Sequence, residues 1–137
     1  MKRKTKVKKV LLAAVGVAMS SIAAIAAEFE INIPAGATKT ISEALSEMGK
    51  TSADIKDKRI VKTGGGTLVG QTSVNTFLGT TINEGVFESA LNDAFGQAIH
   101  TDNADTIYVR DGATLAMTGT TDSYNINNRK VHIAGSG

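Results

Sequence analysis

The sequence predicts an all-β solenoid, in which short strands stack coil upon coil, with one short amphipathic helix near its start. Three observations point there. The body carries β-favouring runs of three to five residues, bounded by Gly, Asn, Asp, Ser and Thr instead of a helical period. A Gly-led strand motif recurs at Gly66, Gly85 and Gly112, at unequal intervals. Such uneven spacing suits coils with variable loops better than an antiparallel sandwich, whose turns come every ~8–12 residues. The aromatic fraction is only 4%, which fits a slender interior filled by Val, Ile, Leu and Ala.

The elements follow in order. Residues 1–26 read as a secretory signal: a basic start (Met1–Lys9), an apolar run (Val10–Met19), then Ala24-Ile25-Ala26 as a small-residue cleavage pattern. An uncleaved anchor is the competing reading, because the stretch Val10–Ala27 just reaches the lower edge of a membrane span. Gly16, Ser20 and Ser21 weaken it. The mature chain is therefore expected to cross at least one membrane and to work outside the cytoplasm.

Residues 27–58 read as an N-terminal cap region. Phe29–Ile33 is a β-favouring run, and Thr40-Ile41-Ser42-Glu43 fits a capping box. Ile41, Ala44, Leu45 and Met48 then share one face, and Gly49 is a plausible stop. The helix Ile41–Met48 is expected to lie ahead of the first repeat as a lid on the stack. Residues 59–137 hold the repeats, with runs at Arg59–Lys62, Thr67–Val69, Thr80–Ile82, Val86–Glu88, Thr106–Val109, Thr114–Met117 and Lys130–Ile133. Stacked in register, such brief strands pair above and below. Leu68, Ile82, Phe87, Val109, Leu115 and Ile133 are expected inside, with Thr, Lys and Glu neighbours outside.

Charge and composition exclude several functions. The 137 residues include no Cys, which removes disulfides and thiolate metal sites. The formal net charge is +2, but six basic residues lie within the first nine positions. Past residue 26, 9 basic residues face 13 acidic ones, a net charge of −4. A mildly acidic body argues against nucleic-acid binding.

Val61-Lys62-Thr63-Gly64-Gly65-Gly66-Thr67-Leu68-Val69 resembles the K-T-G-x-G-T-L opening of the autotransporter-associated β-strand repeat. Thr76-Phe77-Leu78-Gly79-Thr80-Thr81-Ile82-Asn83-Glu84-Gly85-Val86-Phe87 resembles its second half, with Phe77 in place of the usual Tyr and Leu78 in place of a Thr. Val109-Arg110-Asp111-Gly112-Ala113-Thr114-Leu115 keeps only the strand–Gly–strand ending. The close match covers roughly residues 60–88. The resemblance implies a right-handed parallel β-helix and an autotransporter passenger, secreted or held at the cell surface of a Gram-negative bacterium. It also implies an outer-membrane translocator barrel of roughly 250–300 residues, which this sequence does not contain, so the chain is expected to be an N-terminal fragment.

Motifs that could carry chemistry have plainer explanations. Lys62-Thr63-Gly64-Gly65-Gly66-Thr67 places its Lys before the glycines, opposite to a phosphate loop, and lacks the dinucleotide spacing. Glu84 and Asp111 precede equivalent glycines and are a candidate carboxylate pair for glycosidic chemistry, although repeated turns explain both. His100, Asp102 and Asp105 lie close in sequence but lack a Ca²⁺-loop pattern. His132 reads as an outward strand residue. Asp54, Lys56, Asp57, Lys58, Arg59 and Lys62 read as a solvated loop. No catalytic, cofactor-binding or metal residue is assigned. The expected role is a structural or adhesin-like segment without catalysis, binding an unknown surface or host ligand and touching membrane only through its signal. The alternative is a carbohydrate-active β-helix enzyme, a lyase or glycosidase acting on uronic-acid polymers.

Overall fold

A computed structural model describes residues 27–89, 95–97, 104–119 and 129–135. The expected signal segment, with its helix, lies outside them. The chain is mostly strands, in parallel sheets, with few helices. Its elements are β1 (Glu28–Asn32), β2 (Thr38–Thr40), α1 (Ile41–Glu47), α2 (Ser52–Ile55), β3 (Arg59–Thr63), β4 (Thr67–Val69), a 3-10 turn (Thr72–Val74), β5 (Gly79–Ile82), β6 (Val86–Ser89), β7 (Ile107–Val109), β8 (Thr114–Met117) and β9 (Val131–Ile133). Successive strands alternate between two sheets, ordered β1-β3-β5-β7-β9 and β2-β4-β6-β8. Among the described residues, every pairing is parallel, and no strand pairs with the one next to it in sequence.

The register lines residues up in columns. In the five-stranded sheet, Phe29, Ile60, Thr80, Ile107 and Val131 form one column. Ile31, Lys62, Ile82, Val109 and Ile133 form another. Between them stand Glu30, Val61, Thr81, Tyr108 and His132, on the opposite face because side chains alternate along a strand. The four-stranded sheet contributes Leu68, Phe87 and Leu115 from one column. Pairing gives each three- to five-residue strand backbone partners that a hairpin of that length could not secure.

Three expectations need correction. Ile133 is not inside: it is 77% exposed, because β9 ends the order of its sheet. Lys62 and Thr80 are not outside: Lys62 stands between Ile31 and Ile82, and Thr80 between Ile60 and Ile107, in inward columns, and both are fully buried. The interior does take large rings. Phe77, Phe87 and Phe95 are all fully buried, and the rings of Phe87 and Phe95 lie 5.5 Å apart. The 3-10 turn and α2 add Val74 and Ile55 to this same core, so it is wider than the two sheets alone would enclose.

Helix α1 forms for the reason its sequence gives. The Thr40 hydroxyl accepts from Glu43 N–H at 3.2 Å, and the Glu43 carboxylate accepts from Thr40 N–H at 2.8 Å. The helix buries Ile41, Ala44 and Leu45 in the same cluster as Ile31 and Ile33, while Met48 serves as C-cap and is 42% exposed. It follows β1 and β2 in the chain. The stacking of strands thus begins within residues 27–58, before the helix.

Candidate functional site

The turns between the sheets leave carbonyl groups that no ladder satisfies. Lys62 answers this at one turn. Its Nζ donates to the carbonyls of Thr63 (2.9 Å), Gly64 (2.5 Å) and Glu84 (2.9 Å), so all three ammonium protons have acceptors. Burial pulls the Lys62 pKa down, and Glu84 opposes this through its charge. Close packing of the turn requires glycine. A Cβ on Gly66 would sit 2.2 Å from the Pro34 carbonyl oxygen.

Arg59 does comparable work at the opposite end of β3. Its guanidinium donates to the carbonyls of Thr80 (3.2 Å), Thr106 (2.7 Å) and Ala104 (2.8 Å), joining three successive passes of the chain. Burial lowers its pKa, with Tyr108, Glu28 and Asp105 pulling the other way. Both residues belong to the stretch that the sequence pattern placed on a solvated loop. The solvated part of that reading fails, because both cations are buried and donate to backbone acceptors, whereas the expected strand run Arg59–Lys62 is present as β3.

The Arg59 guanidinium also faces the Tyr108 ring, 5.0 Å from its centre. Arg110 lies 5.6 Å from the same ring. The His132 ring lies 5.3 Å away, tilted by 37°. Alternation places Tyr108 and His132 on the outer face of the five-stranded sheet, on neighbouring strands, with Arg110 just past the end of β7. Tyr108 is half-buried, whereas Arg110 and His132 are exposed. The arrangement holds a cation and an imidazole beside an aromatic surface, with no nucleophile or paired carboxylate built into it.

The other sequence candidates resolve separately. In the glycine turn after Lys62, Gly66 N–H donates to Ile33 O and Thr67 N–H to Ala37 O, so these donors are not turned to a phosphate. Glu84 and Asp111 lie exposed on stacked turns. His100 and Asp102 lie outside the described residues, and Asp105 is buried. Among the described residues, no three metal-capable side chains gather. His132 is outward as expected, but its contact with Tyr108 was missed. Only the register of β7 against β9 reveals it, and single-sequence periodicity carries no register.

At the β8–β9 end of the stack, Val109, Leu115, Met117, Val131 and Ile133 line an apolar groove of about 390 Å³. No helix among the described residues is long and apolar enough to cross a membrane. The chain matches no protein-family model, no curated protein and no solved structure.

Proposed function

We propose that the chain is an exported, non-catalytic structural segment with an adhesin-like surface, built as a right-handed parallel β-helix and belonging to an autotransporter passenger. One observation carries this reading. Two parallel ladders take alternate strands in unbroken register from β1 to β9. A stack of this kind is rigid along its axis and presents the same sheet face pass after pass, which suits a spacer that displays a surface. The signal-like segment Met1–Ala26 and the resemblance over residues 60–88 support export and the family.

The experiment has two arms. Expression of the full chain in a Gram-negative host, followed by fractionation, is expected to give a form processed after Ala26 and found outside the cytoplasm. Retention of the whole chain in the cytoplasm overturns the export reading. Incubation with polygalacturonate is expected to give no new chain ends. Clear turnover overturns the structural reading in favour of a carbohydrate-active enzyme.

A further inference from the structure

We infer that the outer face formed by Tyr108, Arg110 and His132 is a binding site for an acidic saccharide, such as a uronic-acid chain. This deepens the adhesin-like reading and rests on it for the presence of such a ligand at a surface.

Three features of the face select that ligand class. The first is its pre-ordered cation. Arg110 sits 5.6 Å from the Tyr108 ring, which restrains the side chain before any ligand arrives and lowers the entropy lost on binding. Exposed guanidinium groups grip carboxylates through paired N–H donors. The second is the pair of rings. Tyr108 and His132 lie 5.3 Å apart on adjacent strands; Arg59 and Arg110 already cover the half-buried Tyr108 ring, so the exposed His132 ring supplies the apolar face with polar edges that matches the mixed character of a sugar ring. The third is spacing. Adjacent strands lie about 4.8 Å apart, comparable with one pyranose unit, so a chain lying along the stack meets a new strand with each sugar.

Charge supports the same occupant. Glu28 and Glu30 stand on the first strand of this sheet, whereas Arg110 directly follows β7, toward its other edge. The gradient directs an anion toward the β7–β9 end. Asp111 lies beside Arg110 in sequence and is also exposed, on the turn into β8. It favours a ligand whose carboxylates are spaced along a neutral framework over a densely charged polymer.

The test is calorimetric titration of the full chain with tetragalacturonate. Saturable binding is expected, weakened about tenfold or more by Arg110→Gln. His132→Ser is expected to weaken it severalfold, and His132→Phe to weaken it less. Both positions are exposed, so these variants keep the wild-type unfolding temperature. Tyr108→Leu is expected to weaken binding too, but the exposed-site variants decide the matter if it unfolds. Equal affinity for maltotetraose overturns the requirement for charge. Equal affinity for polyglutamate of matched length overturns the requirement for sugar. No binding, or binding indifferent to both exposed substitutions, overturns the site. Export without binding sinks this inference alone, whereas binding by a chain that stays in the cytoplasm sinks the surface role alone.

Discussion

The Lys62 ammonium donates to the Glu84 carbonyl at 2.9 Å, tying the turn after β3 to the turn after β5. It does so from a column otherwise filled by Ile31, Ile82, Val109 and Ile133. Lys62→Met preserves most of the volume but takes the ammonium donor from the Gly64 and Glu84 carbonyls, while Thr63 O keeps its bond from Ile33 N–H. The expected loss is about 1–3 kcal/mol, read by urea unfolding. The pH dependence follows in sign. Burial holds the folded pKa below the ordinary lysine value. Between the two values the unfolded chain binds more protons, so this group's contribution to stability rises with pH there. Lys62→Met is expected to remove that alkaline rise.

Gly85 and Gly112 occupy equivalent turns with φ of +67° and +78°, yet their surroundings differ. A Cβ on Gly85 would lie 2.4 Å from the Gly66 carbonyl oxygen and 2.5 Å from that of Gly64. A Cβ on Gly112 meets nothing within 4 Å. Gly112→Ala is therefore expected to cost only the left-handed backbone penalty, about 1–2 kcal/mol. Gly85→Ala adds a backbone clash to the same penalty and is expected to prevent stacking of β5 and β6 on the earlier strands. Thermal unfolding of the two variants side by side checks this.

The strands with apolar centres were legible because their pattern is local. Thr67–Val69 and Thr114–Met117 are strands over the very residues the sequence marks. Helix α1 was legible from its cap, one residue short of the expected Met48. Strand β2 was not, because Thr38-Lys39-Thr40 carries no apolar residue and owes its conformation to pairing with β4. Helix α2 was missed for a related reason: Asp54 reads as one charge among many until its bond to Thr51 N–H is seen. Besides Thr63 and Gly64 next to Lys62, the acceptors that Lys62 and Arg59 use lie 21 to 47 residues away, and no periodicity reports those.

Thr80 stands in an inward column between Ile60 and Ile107, fully buried, and its hydroxyl oxygen has no hydrogen-bond partner. An unsatisfied buried hydroxyl costs free energy that an isosteric methyl does not. Thr80→Val is expected to stabilise the fold by about 1 kcal/mol, seen as a raised unfolding midpoint in urea with an unchanged slope.

Glu43 and Asp54 each accept from the N–H of their helix N-cap, Thr40 and Thr51, at 2.8 Å. Those bonds pull both carboxyl pKa values below their ordinary range. The sign follows from linkage: the stabilisation is fully present above the unfolded carboxyl pKa and is lost as pH falls through the lowered folded values. Unfolding curves taken from neutral to acid are expected to show this loss, and Glu43→Ala with Asp54→Ala is expected to flatten it. Thr40→Ala alone is expected to cost about 1 kcal/mol at neutral pH.

Ile31 and Ile133 end the same column, but Ile31 is 1% exposed, within the core cluster that α1 joins, whereas Ile133 is 77% exposed beside Met117 at 49%. The two ends of the stack thus differ in kind. At the β9 end, apolar side chains coincide with the last strand of each sheet among the described residues, a combination that invites edge-to-edge association. The full chain is expected to show concentration-dependent association by sedimentation velocity. Ile133→Lys and Met117→Lys are expected to reduce it, while changing stability by no more than about 0.5 kcal/mol. A charge placed there opposes pairing in trans without removing a buried contact. Association that persists unchanged in the double variant would locate the sticky surface elsewhere.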